Sequence, residues 1–371
     1  MKLAWQNLSY DRSRFAVTIV GIAFAVFLMI FQGSLLLGFL RAASKVVDSV
    51  EADLWITARG VPCFDFAAPL PDRFRELALG VPGVISVERI ASGFASWQKP
   101  SGARQIVVLV GMEPEVGVRS AFQDLRHETE LAPEAVFLDR SNRDTLEVTS
   151  VPAEVEISRR RARVAGMVEG FSSFLGSPYV FTRYRDAVRY IGLGQEETVF
   201  LVARVAAGRG LDRVRDRLRL RLPEANVWTR VEFSRRCRVY WLVQTGAGGS
   251  ILTAALLGFL VGLVIVSQNI YATTMDNIEE FATLKAIGAP RRYIQSVVLT
   301  QAIVSGLFGS GVGLLGTYPL VAALRTSIPW VYTPWWLPLG MVLVSLLMCG
   351  LASVASVRKA IAVEPARVFR A

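Results

Sequence analysis

Four stretches of this chain carry no charged residue, at positions 15–40, 241–275, 293–324 and 327–357. A helix of about 20 apolar residues crosses a bilayer, so each stretch is long enough. Backbone polar groups in hydrocarbon must be satisfied within the segment, which makes the helix the only sensible conformation for each. The spacing is uneven: one stretch stands alone near the N-terminus, and three crowd into the last third. The chain therefore predicts an integral membrane α-helical protein with four transmembrane helices. A large α+β domain is inserted between helices 1 and 2. The expected boundaries are a cytoplasmic amphipathic segment 1–14, helix 1 at 15–40, the external domain at 41–245 and helix 2 at 246–275. A cytoplasmic loop at 276–292, helix 3 at 293–324, a short external loop at 325–333, helix 4 at 334–357 and a cytoplasmic tail at 358–371 follow.

The distribution of charge sets the sidedness. Net charge is +10, which by itself would suit a nucleic-acid binder. The basic residues flanking the spans point elsewhere. Lys2, Arg12 and Arg14 precede helix 1, Lys285, Arg291 and Arg292 lie between helices 2 and 3, and Arg358, Lys359, Arg367 and Arg370 follow helix 4. All three segments fall on one side, which the positive-inside rule makes the cytoplasm; both termini are then inside. Long domains translocate regardless of charge, so the many arginines of the inserted domain do not oppose this. No nucleic-acid partner is expected. Residues 15–40 exceed the apolar core of a cleaved signal peptide and read as a retained signal anchor. Leu3, Trp5, Leu8 and Tyr10 suit a short helix on the cytoplasmic surface.

Within 41–245, runs rich in β-branched and aromatic residues read as strands at 53–58, 84–87, 105–111, 164–168 and 198–204. Helical spacing marks 183–191 and 210–220, the latter through Leu211, Val214 and Leu218. Such a mixture predicts an α+β domain in two lobes. Cys63 and Cys237 both belong to it, and an oxidising compartment leaves a disulfide open alongside two free thiols. Cys349 lies in helix 4 and reads as a packing residue. His127 is the one histidine. No Cys/His metal pattern and no convincing nucleophile constellation are present, so no catalytic, cofactor or metal residues are expected in the chain.

Glycines mark where helices approach closely. Gly258 and Gly262 lie four apart in helix 2, and Gly309 and Gly313 four apart in helix 3. Small residues at that spacing let backbones pack in lipid, within the chain or at a seam between two copies. A phosphate-binding loop is excluded, because no Gly-Lys-Ser/Thr follows them.

The loop between helices 2 and 3 carries the most specific pattern. Ile278, Phe281, Leu284 and Ile287 recur every three residues and form an apolar stripe on a short helix. Asp276, Glu279 and Glu280 occupy its first turns, where the helix dipole favours negative charge, and Lys285 falls near its end. Gly288 suits the C′ position, and Pro290 forbids continuation. Both ends of this helix join membrane spans, so a push on it is felt in them. Its adjacent carboxylates and balanced charge favour docking to a protein over lying on lipid.

These residues also resemble a known group. Glu280-Phe-Ala-Thr-Leu-Lys-Ala-Ile-Gly-Ala289 is similar to the cytoplasmic loop of ABC transporter permeases of the FtsX/MacB/LolCE (type VII) superfamily. Val264-Ile-Val-Ser-Gln-Asn-Ile-Tyr-Ala-Thr-Thr-Met-Asp276 resembles the DevC branch in particular. Ala4, Asn7, Leu8, Arg12, Arg14, Gly21 and Ile22 resemble the opening of such permeases. The closing run from Arg358 to Arg370, with Glu364-Pro365 where the family often has Asp-Pro, resembles their end. The resemblance implies a non-catalytic permease subunit in a bacterial inner membrane. It implies a separate ABC ATP-binding subunit, with ATP and Mg on that partner, docked on Ile278, Glu279, Glu280, Phe281, Leu284, Lys285, Ile287 and Gly288. It further implies a dimer with itself or a related permease, a periplasmic membrane-fusion adaptor, and mechanotransmission that exports an amphiphilic cargo such as a glycolipid or lipopeptide. The alternative is an FtsX-like regulator that activates a cell-envelope hydrolase. Against it, the external domain is larger than is usual for that type.

Overall fold

The computed structural model describes residues 12–114, 116, 132–276, 278–279, 283 and 287–362. Residues 1–11 of the amphipathic segment expected at 1–14 and most of the terminal tail lie outside the described residues, as does His127. Helix α1 spans Arg12–Ala42, and a brief break separates it from α2 at Lys45–Ser49. The inserted domain then runs β1 (Leu54–Ala58), β2 (Leu70–Pro71), α3 (Phe74–Leu79), β3 (Val84–Gln98), β4 (Arg104–Met112), β5 (Ala135–Asp139), β6 (Ala153–Ile157) and β7 (Arg160–Val168). It continues through β8 (Tyr179–Arg183), α4 (Tyr184–Ile191), β9 (Glu197–Thr198), β10 (Phe200–Val205), α5 (Leu211–Arg221), β11 (Ala225–Thr229) and α6 (Arg230–Val239). A π-helical turn at Tyr240–Gln244 leads to α7 (Gly246–Asp276), then α8 (Arg291–Ser327) and α9 (Trp336–Ala362). Four helical stretches, Phe15–Ala42, Gly246–Asp276, Gln295–Arg325 and Trp336–Val354, are long and apolar enough to cross a membrane. The chain is a multi-pass membrane protein with a large inserted α/β domain.

The chain divides into two units, 39–248 and the remainder. In the first, nine strands form one sheet in the order β11-β1-β10-β3-β4-β8-β5-β7-β6. The end of β3 also pairs with β6, Trp97 against Ile157, so the ladder from β3 through β4, β8, β5 and β7 returns to its start. Two lobes were the expectation; among the described residues, separate apolar cores share one sheet. Leu54, Ile56, Leu201, Val214 and Leu218 anchor one core, and Trp97, Leu109, Val136, Val164 and Val180 the other. Their link is β3, whose 15 residues place Val87 in the first core and Ala91, Ala95 and Trp97 in the second. Such length allows one strand to serve both.

In the second unit α1 lies against each of the other long helices. Ile22, Ala25, Val26, Met29 and Ile30 share a buried core with Val266 and Ile270 of α7, Ala302 of α8, and Met348, Cys349 and Ala352 of α9. A Cβ added at Gly38 would stand 2.3 Å from the carbonyl oxygen of Trp330, so the α8–α9 loop closes directly on the end of α1. Thr333 Oγ1 donates to Ser34 Oγ at 2.8 Å in the same region. Side-chain hydroxyls bonded this way satisfy polar groups that lipid could not.

Candidate coupling site

In the loop joining α7 and α8, a few described residues are helical and the exit is forced. Ile278, Glu279 and Thr283 are helical, and the Thr283 hydroxyl donates to the Glu279 carbonyl at 2.9 Å. Ile287 N–H donates to the Thr283 carbonyl at 3.1 Å, closing the last turn. Gly288 follows with φ +94°, a left-handed conformation that other residues adopt only at a cost. Pro290 is extended at φ −67°, ψ 147° and caps α8, which starts at Arg291. Glu279 is exposed, Ile278 is half-buried, and Ile287 is 79% exposed. Ile287 thus leaves most of its apolar side chain uncovered in this loop. Glu280, Phe281, Leu284 and Lys285 lie outside the described residues.

Gly258, Gly262, Gly309 and Gly313 all face α1. A Cβ at Gly258 would stand 2.9 Å from Gln32 Cγ, and one at Gly262 3.4 Å from Met29 Cγ. At Gly309 it would stand 2.7 Å from Ile22 Cβ, and at Gly313 2.7 Å from the carbonyl oxygen of Ala23. Gly311 and Gly316, on the same helix as the latter two, face open space.

At the other end of α7, within the inserted domain, the chain is fastened by α6 and the turn after it. Thr229 and Glu232 start α6 with a reciprocal capping box, each side chain bonded to the other's backbone N–H. Phe233 is fully buried, its ring centroid 5.3 Å from Trp55 and 5.9 Å from Phe200. Arg238 donates to Ser44 Oγ and to Asp48 Oδ2, both at 2.7 Å, tying α6 to α2. In the π-turn, buried Trp241 donates its Nε1–H to Asp65 Oδ2 at 2.9 Å, and the Tyr179 hydroxyl donates to Asp65 Oδ1. Burial holds the Asp65 carboxyl above its ordinary pKa, against the pull of these two donors. Thr245 is extended, φ −115° and ψ 146°, and separates the turn from α7. Gly248 lies so close to Trp241 that a Cβ there would meet its carbonyl oxygen at 1.9 Å.

Cys63 and Cys237 are free thiols, both buried. Of the two alternatives the sequence left open, the structure holds the thiols. Cys237 Sγ accepts the Phe64 N–H at 3.4 Å, and burial pushes Cys63 up to about 12 and Cys237 higher still. Thiols so shifted stay protonated and are poor nucleophiles. Among the described residues no group of three or more metal-capable side chains occurs.

The Asp65–Tyr179–Trp241 cluster was not anticipated from the sequence. Asp65 stands between Phe64 and Phe66 in an apolar run, and an acid so flanked is the one signal that could have marked it.

Comparison with known proteins accords with this layout. Residues 15–220 match the family of MacB-like periplasmic core domains, and residues 252–365 match the FtsX-like permease C-terminal family. The chain belongs to the MacB/FtsX-type ABC transporter permeases. An ABC transporter permease of Mycobacterium tuberculosis is 25% identical over 99% of this chain and 98% of its own. One from Mycobacterium bovis is 23% identical with the same coverage. Among solved structures, the periplasmic region of MacB from Actinobacillus actinomycetemcomitans aligns over 50% of this chain and 92% of its own, at TM-score 0.36 and 12% identity. The extracellular domain of the ABC-type transporter YknZ from Gram-positive bacteria aligns over 48% of this chain and 98% of its own, at TM-score 0.34 and 12% identity. The match to the MacB-like periplasmic core family makes the inserted domain one of the periplasmic type, and the class of ABC transporter permeases implies an ATP-binding partner.

Proposed function

We propose that this permease is the force-transmitting subunit of an export system in a bacterial inner membrane, with both termini cytoplasmic and the inserted domain periplasmic. A separate ATPase docks on the 276–292 loop, with Ile278, Phe281, Leu284 and Ile287 filling a groove on it and Glu279, Glu280 and Lys285 offering charged contacts. ATP and Mg are bound by that partner. Two permease chains, identical or related, act together, and the periplasmic domain drives an amphiphilic cargo toward a membrane-fusion adaptor. The 264–276 run supports the DevC-type branch.

One observation carries the reading. α7 is a single helix of 31 residues. Its lower end runs into the loop whose Ile287 is left uncovered. Its upper end continues through Thr245 into a turn bonded to Asp65 and a helix bonded to Asp48. A helix is stiff along its axis, so displacement of one end is delivered to the other. Substituting Phe281→Asp together with Leu284→Asp places two charges where the apolar stripe must be covered. The double variant is expected to insert in membranes normally and to lose co-purification with the ATPase. Undiminished co-purification would overturn the docking assignment.

A further inference from the structure

The exposed side of α6 carries a groove of about 310 Å³, lined by Glu232, Arg235, Arg236, Val239, Tyr240 and Gln244 among others. We propose that this groove binds the phosphate of an anionic glycerophospholipid.

The charge balance of the groove favours an anion. Glu232 is already committed: Oε2 accepts the Thr229 N–H at 2.8 Å, and Oε1 pairs with Arg215 at 2.9 Å. Arg235 and Arg236 are both exposed. Among the described residues neither has a carboxylate within ion-pair distance. The Arg236 guanidinium lies 4.9 Å from the Trp228 ring centroid. Such a contact holds the guanidinium against the aromatic face and leaves its N–H groups available to an anion at the edge. Two arginines line the groove, one of them held in this way, and their guanidinium groups suit the oxygens of a phosphate.

Apolar surface beside the arginines narrows the anion to an amphiphile. Val231, Arg235 and Val239 follow one another at four-residue spacing, so they share one face of the helix. Val231 is 72% exposed, Val239 45% and, in the following turn, Val243 69%. A free phosphate would leave Val239, the valine that lines the groove, in water, whereas a lipid would cover it with its glycerol and the first carbons of its chains. The position along the chain suits the same ligand. Gln244 stands two residues before α7 begins, so the chain between them reaches about 7 Å at most. Tyr240, which lines the groove, falls just before the span, where aromatic residues mark the headgroup level.

The full-length protein can be placed in phosphatidylcholine nanodiscs containing phosphatidylglycerol, with the photo-crosslinker p-benzoylphenylalanine replacing Val239. Irradiation is expected to yield an adduct with the mass of phosphatidylglycerol. Adding Arg235→Gln and Arg236→Gln should lower its yield about tenfold or more, the effect of roughly 1.4 kcal/mol of lost binding. Arg235→Lys with Arg236→Lys, which keeps the charge, should restore much of it. Both arginines are exposed, so the same variants should unfold at the parental temperature; a matching loss of stability would point to a structural role and overturn the proposal. It is equally overturned by the absence of a lipid adduct, by a yield the glutamine variants do not change, or by an adduct with protein, whether a second copy or an adaptor.

Discussion

Gly309→Ala and Gly313→Ala test how α8 meets α1. Non-bonded carbon atoms rest at about 3.5–4.0 Å. A methyl group at Gly309 would lie 2.7 Å from Ile22 Cβ and 3.2 Å from the Ile19 carbonyl oxygen. At Gly313 it would lie 2.7 Å from the Ala23 carbonyl oxygen and 3.2 Å from Ala23 Cα. Each alanine therefore intrudes by roughly 0.8 Å on atoms of a helical backbone or at a β-branch. These cannot rotate aside, so the helices must part. Overpacking of this kind costs about 1–3 kcal/mol. At about 2–4 °C per kcal/mol, thermal unfolding of the detergent-solubilised protein should fall by roughly 2–12 °C for either variant. Gly311→Ala and Gly316→Ala are the internal controls. Their methyl groups meet nothing within 4 Å, and alanine is the better helix former by up to about 1 kcal/mol, so neither should lower the midpoint. The Gly309→Ala/Gly313→Ala double variant should cost less than the two single costs added, since one separation relieves both clashes. Midpoints for Gly309→Ala and Gly313→Ala equal to those of the controls would refute the packing. So would intact unfolding combined with dissociation of two copies, which would place these glycines at a seam between chains.

Two other expectations follow from the site. Burial raises the Asp65 pKa, so the folded domain keeps a proton that the unfolded chain releases near the usual Asp value of about 3.9. Its contribution is fully present below that value and is lost as pH rises through the folded-state pKa. Asp65→Asn cannot titrate, so its stability relative to the parent in chemical denaturation should improve as pH rises above about 4; an opposite trend would contradict burial as the dominant cause. At Gly288, φ is +94°, and a β-branched residue there costs about 1–2 kcal/mol. Gly288→Val should therefore loosen the loop and speed limited tryptic cleavage at Arg291 or Arg292 about fivefold or more, with unchanged cleavage counting against the turn.

What could be read directly from the sequence was whatever depends on near neighbours. Charge-free length marks a span wherever it occurs, and α7 covers 246–276 as the composition of that stretch suggests. Gly288 with Pro290 spells the stop between α7 and α8 because both residues act through their own backbone torsions. Within the domain, the strand read at 198–204 is divided in the structure, with Val199 between β9 and β10. β9 pairs with β2 and β10 with β1 and β3, a change of partner that no local preference announces. Helix α6 was hidden for another reason. Its Arg-Val-Glu-Phe-Ser-Arg-Arg-Cys-Arg-Val run is too charged to show an apolar period, and Phe233 and Cys237 supply its buried contacts.

By itself, then, the sequence determined that this chain crosses a membrane four times with a domain after the first crossing. Segment length and polarity decide that, because each span satisfies its own backbone. Tertiary structure alone decided which surfaces those spans present to one another. Gly309 and Gly313 meet α1 while Gly311 and Gly316 do not, and four-residue spacing cannot distinguish one face of a helix from another. It also decided that Asp65 fastens the turn above α7, since its partners Tyr179 and Trp241 lie 114 and 176 residues away. Contacts at such separations exist only once the sheet has closed, and their cost in chain entropy is repaid by that closure.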